Sequence, residues 1–229
     1  MSTVNTVGSL ETKYWHRTLI PFKQLLVITP EQRSLIVGSL LGDGTMRRGE
    51  HARNANYKIE HGLEQKEYVF WKYEILRPLV LTEPKLSYRY DPIKGKYPKS
   101  WWFRTVRHPL LTEIYNLWYL GDGYRAGRKI VPKNIGDDLN PLALAAWIMD
   151  DGCYSNGIID ISTYSFELSE INVLQDVFRD RYGIKFSFHK DRDKGYRMYS
   201  NKADTKVLAS IIAPYIIDSM KYKIGFKNP

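Results

Sequence analysis

Residues 36–44 read Ile36-Val37-Gly38-Ser39-Leu40-Leu41-Gly42-Asp43-Gly44, and 108 positions later residues 144–152 read Leu144-Ala145-Ala146-Trp147-Ile148-Met149-Asp150-Asp151-Gly152. Each stretch is apolar, has a small residue third and ends in Asp-Gly. Each also begins behind a helix-start signal. Thr29-Pro30-Glu31-Gln32 offers an N-cap, a proline in the first turn and a capping-box glutamine, and Asn140-Pro141 repeats cap and proline. Two further pairs recur in the same order. Leu63-Glu64-x-x-Glu67-Tyr68 is matched by Phe166-Glu167-x-x-Glu170-Ile171, and Lys129-Ile130-x-x-Lys133-Asn134 by Lys223-Ile224-x-x-Lys227-Asn228. Offsets that shrink from 108 to 103 to 94 point to a duplicated unit whose second copy has shorter loops.

Two copies of one apolar helix bury that surface most simply against each other. Gly38 and Gly42 lie four apart in the first copy, with Ala146 and Asp150 in the same places of the second, and small residues at that spacing let helix backbones approach closely. Gly44 and Gly152 are expected in the left-handed conformation that ends a helix. Packed in parallel, the helices bring Asp43 and Asp151 together at one end. A helix C-terminus disfavours a carboxylate by roughly 0.3–1 kcal/mol, and two carboxylates also repel each other. A divalent cation held by carboxylate and backbone oxygens relieves both penalties, and Mg²⁺ suits such a site. Asp43 and Asp151 are therefore candidate ligands and catalytic groups, with Gly42 and Asp150 beside them in the candidate metal shell. Asp150 stands where the first copy has Gly42 and is expected to serve helix packing rather than catalysis.

Period-two alternation predicts strands near 55–61, 85–90 and 100–107, then at 159–162, 184–189 and 196–199. Helices are expected near 63–77, 109–120 and 166–182, the last stopped by Gly183. Residues 46–49 and 90–96 read as loops. The boundary between units is expected in the glycine-rich, basic stretch 121–128, which divides the chain into 1–125 and 126–229 with 1–29 outside the repeat.

The 229 residues are 43% hydrophobic and 14% aromatic, which excludes wholesale disorder. A single cysteine, Cys153, excludes an internal disulfide framework and a cysteine-based metal cluster, and it is expected to be a packed or turn residue. The sequence has neither an apolar run of membrane-spanning length nor a secretory leader, so an intracellular, soluble protein is expected. The net charge of +9 is unevenly spread: +2 over 1–83, +8 over 84–133, −8 over 134–178 and +7 over 179–229. Two basic segments flanking an acidic one fit a surface that grips phosphates around a cation-binding centre.

The paired motifs resemble the signature motifs of the LAGLIDADG homing endonucleases, in the form that carries both in one polypeptide. Residues 144–152 match more closely than 36–44. Lys129-Ile130-Val131-Pro132, Ser162-Thr163-Tyr164-Ser165-Phe166, Pro214-Tyr215-Ile216 and Met220-Lys221-Tyr222-Lys223 add to the resemblance, which runs over about residues 30–227. It implies an α+β fold of two pseudo-symmetric αββαββα units, forming a saddle of antiparallel sheets over DNA. It further implies that Asp43 and Asp151 hold Mg²⁺, that Lys129 and Lys223 assist the water or the departing oxygen, and that a long specific duplex site is cut to leave short 3′ overhangs. A monomer encoded within an intron, in an organellar or microbial genome, goes with this form.

Recognition is expected from outward strand residues: Lys58, Glu60, Arg104, Lys185, Ser187, His189, Arg197, Tyr199 and Asn201. Arg47 and Arg48, in the loop after the first motif, extend the electrostatic track. Leu120-Gly121-Asp122-Gly123 imitates the motif ending without a partner helix, so Asp122 reads as a turn residue, and Glu64-Gln65-Lys66 falls in a helical pattern rather than a nuclease site. The five histidines (16, 51, 61, 108 and 189) show no metal-ligand spacing. A binder of DNA or intron RNA that does not cut, such as a maturase, is the rival reading. Two crowded carboxylates argue against it.

Overall fold

The computed structural model describes residues 21–49, 51–121 and 127–226. The expected unit boundary at 125/126, the turn residue Asp122 and the repeat positions Lys227 and Asn228 lie outside the described residues, as do the first 20 of the 29 residues preceding the repeat.

Two units of identical element order follow one another. The first runs α1 (Pro30–Leu41), β1 (Thr45–Arg47), β2 (Asn56–Gly62), α2 (Lys66–Leu76), β3 (Lys85–Asp91), β4 (Gly95–Arg104) and α3 (Pro109–Trp118). The second runs α4 (Pro141–Asp151), β5 (Gly152–Ser155), β6 (Ile158–Ser162), α5 (Leu168–Tyr182), β7 (Phe186–Lys190), β8 (Tyr196–Ser200) and α6 (Lys202–Ile212). Each unit is thus αββαββα, with one antiparallel four-stranded sheet, ordered β1-β2-β4-β3 and β5-β6-β8-β7.

Helices α1 and α4 hold the two units together. Thr29 caps α1 through the capping box with Gln32, and the Asn140 side chain caps α4 from Ala143 N–H. From Leu35 to Leu41 and from Leu142 to Asp150 every residue is buried, on all sides of both helices. Such uniform burial requires covers on opposite faces, and here the partner helix and each unit's own elements supply them. Gly38 sits at the crossing, where a Cβ would come within 2.1 Å of the Ala143 carbonyl oxygen; at Gly42 it would meet the Asp150 Cβ at 2.4 Å. At the other end of the pair, Arg33 grips Asp138 through two hydrogen bonds of 2.5 and 2.7 Å, and Asn140 donates to Ser34. The contacts run Arg33–Asp138, Gly38–Ala143, Gly42–Asp150, so the helices are parallel.

Several sequence expectations need correction. Neither Gly44 nor Gly152 adopts a positive φ; Gly152 has φ −73° and ψ 149°, because the chain passes directly from helix into β5. Glycine is required there by proximity instead. A Cβ at Gly44 would lie 2.6 Å from the Tyr57 hydroxyl, and one at Gly152 would lie 2.6 Å from the Ile148 carbonyl oxygen. Gly183 does end α5 in the left-handed region, with φ 66°. Met46 and Arg47, expected in the 46–49 loop, belong to β1 and pair with β2, and the 90–96 loop shrinks to 92–94 between β3 and β4. Asn201 is not a strand residue. Its side chain accepts from the Asp204 N–H and caps α6, an arrangement that strand alternation extended one residue too far concealed. Cys153 is exposed at the start of β5 rather than packed.

Candidate active site

Asp43 follows α1 and Asp151 ends α4, so parallel packing brings both motif ends to one edge of the helix pair. The Asp43 side chain is about half exposed (52%). Burial, then the charge of Asp150, raises the Asp43 carboxyl from its ordinary value. Asp151 is pushed up to about 7, first by burial and then by the negative charges of Asp43 and Asp150. Repulsion of this kind marks carboxylates gathered in one place.

Lys129 and Lys223 take up equivalent positions around the two motif ends. Lys129 Nζ donates to the Gly42 carbonyl at 2.7 Å and the Gly44 carbonyl at 3.4 Å, the two that flank Asp43. Lys223 Nζ donates to the Gly152 carbonyl at 2.7 Å and the Asp150 carbonyl at 3.4 Å, the two that flank Asp151. Lys129 is placed by its bridge to Tyr119 after α3, and Lys223 by a 3-10 helix over Asp218–Ile224. Burial lowers the basicity of both amines, while the neighbouring aspartates oppose that shift. The repeat pair found in the sequence therefore anchors one lysine on the backbone of each motif.

Asp150 behaves differently from its neighbour. Its side chain is fully buried; Oδ1 accepts from the Tyr68 hydroxyl at 2.8 Å and from Lys72 Nζ at 2.7 Å, and Oδ2 accepts from the Asp43 N–H at 3.3 Å. Tyr68 and Lys72 stand one turn apart on α2, so a carboxylate of the second unit is seated in the first. His61, from β2, completes the cluster: Nε2 is 3.1 Å from Lys72 Nζ, and Nδ1 is 3.5 Å from Asp43 Oδ2. Burial and the Lys72 charge hold this imidazole down to about 4, so it is neutral at pH 7. Donor atoms of Asp43, His61 and Asp150 lie within 4.8 Å of one another, in the manner of a metal site. The Lys72 ammonium already engages two members of this group, at His61 Nε2 and Asp150 Oδ1. Of the four residues placed in the metal shell, Asp43 and Asp151 keep carboxylates at the motif ends, while Asp150 is bound internally and Gly42 gives its carbonyl to Lys129. Two hard oxygen donors of raised pKa, with lysines alongside, fit a divalent cation such as Mg²⁺.

The histidine spacing gave no hint of His61, and Tyr68 and Lys72 looked like ordinary helix residues. The available signal was a lysine one turn beyond a tyrosine on a helix face that must be buried, where the second copy has Ile171 and Gln175.

Beside Asp43 the outward face of the first sheet forms a cleft lined by Thr45, Arg47, Lys58, Glu60, Lys99 and Ser100. Lys58 stands opposite Arg104 and Glu60 opposite Trp102, which in turn pairs with Lys85. Glu60 accepts from Lys58 Nζ at 2.6 Å and from the Ser100 hydroxyl at 2.5 Å; burial would raise its carboxyl, but these bonds and the lysine charge outweigh it and take Glu60 down to about 2. Arg48 lies just beyond β1. On the second sheet Ser187 pairs with Tyr199 and His189 with Arg197 across β7 and β8, while Lys185 is exposed just before β7. Arg197 is tied to Asp160 at 2.5 Å and to Ser162 and Tyr164 at 2.8 Å.

Residues 33–208 match the model of the LAGLIDADG DNA endonuclease family. The chain belongs to that family. DNA endonuclease I-ChuI of Chlamydomonas applanata is 32% identical over 212 residues, which cover 88% of this chain and 97% of that one. Cytochrome b mRNA maturase bI2 of Saccharomyces cerevisiae is 30% identical over 197 residues, covering 84% of this chain but 47% of the maturase. Among solved structures, the homing endonuclease I-WcaI bound to its DNA recognition sequence aligns with a TM-score of 0.79 and 20% identity, over 91% of this chain and 92% of that one. This chain and I-WcaI share the fold. Among the described residues no helix is long and apolar enough to cross a membrane.

Proposed function

We propose that the chain is a site-specific, divalent-cation-dependent endonuclease that cuts both strands of a long duplex DNA target and leaves short 3′ overhangs. The observation that carries this reading is the placement of Asp43 and Asp151 at the joined ends of α1 and α4, each flanked by carbonyls that its own lysine grips. Both centres belong to one polypeptide, so a monomer suffices.

In this reading Asp43 and Asp151 hold Mg²⁺ or a similar cation, which supplies an activated water and neutralises charge on the phosphate. The lysines hold the motif backbones in register and present protons near the departing oxygen. Arg47, Arg48, Lys58, Arg104 and Lys185 neutralise backbone phosphates, and Glu60, Ser187, His189, Arg197 and Tyr199 face the groove edges. Asn201, spent on its helix cap, is dropped from this set.

The relation to a maturase favours a second reading, in which the same surface binds intron RNA and cutting is secondary. Algal and yeast relatives fit an intron-borne gene in an organellar or microbial genome. The deciding experiment incubates the protein with DNA rejoined across the insertion point of its own gene, with Mg²⁺ or with chelator. Mg²⁺-dependent cuts on both strands, abolished in Asp43→Asn or Asp151→Asn, support the endonuclease. Tight binding without cutting supports the rival.

A further inference from the structure

The buried polar cluster makes the two centres unequal. In strand register Thr45 faces Lys58 as Cys153 faces Asp160, so His61 corresponds to Thr163. The helix repeat sets Tyr68 against Ile171 and Lys72 against Gln175, and the motif repeat sets Asp150 against Gly42. Thr163 gives its hydroxyl to the Tyr196 carbonyl, and Gln175 donates to the Phe186 carbonyl. Every member of the cluster thus has a chemically different residue at the equivalent position, and the imidazole adjoins Asp43.

The cluster also fixes the ring. An ammonium only donates, so Lys72 makes His61 Nε2 an acceptor and the ring proton resides on Nδ1. That nitrogen faces Asp43 Oδ2. Lys72 is itself held by Asp150, whose other oxygen accepts from the Asp43 backbone N–H. Asp43 is therefore approached twice from the same buried charge pair, once at its backbone and once through His61 at its carboxylate.

We infer that His61, oriented by the buried Lys72–Asp150 pair, is a positioning residue for Asp43, and that one of the two strand cuts depends on it far more than the other. The consequence for the cuts rests on the endonuclease reading above. A partner that orients a ligating carboxylate typically matters by about 10–100-fold in metal affinity or activity.

Two measurements test it. In the metal-free, histidine-¹⁵N-labelled chain at neutral pH, NMR is expected to show a neutral His61 ring protonated at Nδ1, and Lys72→Met is expected to abolish that preference. A wild-type ring protonated at Nε2 overturns the proposal. On a target labelled on both strands, His61→Ala is expected to change the ratio of the two strand-cutting rates by about 10–100-fold, with partial rescue by the donor-keeping His61→Gln. Equal slowing of both strands, or no slowing, overturns it. Should the wild-type chain cut neither strand, the endonuclease reading and the strand bias fail together, while the NMR spectrum still decides whether Lys72 sets the ring against Asp43.

Discussion

Lys72 Nζ and Asp150 Oδ1 lie 2.7 Å apart, both in side chains without solvent exposure, and they join one unit to the other beneath the active site. Removing one member of such a pair strands a charge, at a typical cost of about 3–5 kcal/mol. Lys72→Met is therefore expected to lower the denaturation midpoint sharply. The double variant Lys72→Met/Asp150→Gly, which restores the glycine of the first motif, is expected to recover part of the loss. Urea unfolding of the two variants and the wild type checks the order.

Gly38→Ala tests the helix crossing. Its Cβ would fall 2.1 Å from a carbonyl oxygen of the facing helix, and backbone cannot turn aside as a side chain can. Separating α1 from α4 is expected to destabilise the chain by about 1–3 kcal/mol, read as a lower Tm.

The charge at Asp151 makes stability depend on pH. This carboxyl, raised from 3.8 to about 7, keeps its proton in the native state over a range where the unfolded chain has lost it. The native state binds more protons there, so metal-free stability is expected to fall as pH rises from about 4 to about 7 and to level off above that, as far as this group decides it. A divalent cation binds the ionised form, so the gain in Tm on adding millimolar Mg²⁺ is expected to be small at pH 5 and larger at pH 8. Thermal melts with Mg²⁺ and with chelator across this range check both signs.

Lys129→Met and Lys223→Met each release the carbonyls around one aspartate and, in the proposed reading, remove the amine that presents a proton near the departing oxygen. Both are expected to slow cleavage by about 100-fold with little change in DNA affinity. Cleavage rates set beside equilibrium binding in Ca²⁺ separate the two effects.

The fold was legible because one nine-residue pattern, seen twice, carried its own partner: an apolar helix repeated with small residues on one side has a place to bury itself. The lysine pair was legible for the same reason, as Lys129 and Lys223 recur in step with the motifs. His61, Tyr68 and Lys72 were not, because they belong to the asymmetry between the copies, which a search for repeats discards. Strands β1 and β5 were too short to alternate visibly, with 3 and 4 residues. The glycines after the motifs were read from their usual conformational use, whereas Tyr57, Ser39 and Ile148 crowd them into place instead.

Anomalous diffraction from crystals of the protein with its rejoined target and Mn²⁺ reaches the central claim most directly. Manganese peaks bound by the Asp43 and Asp151 carboxylates, against the phosphates to be cut, are the expected result. Manganese bound elsewhere, or DNA lying away from the paired helix ends, would contradict the account.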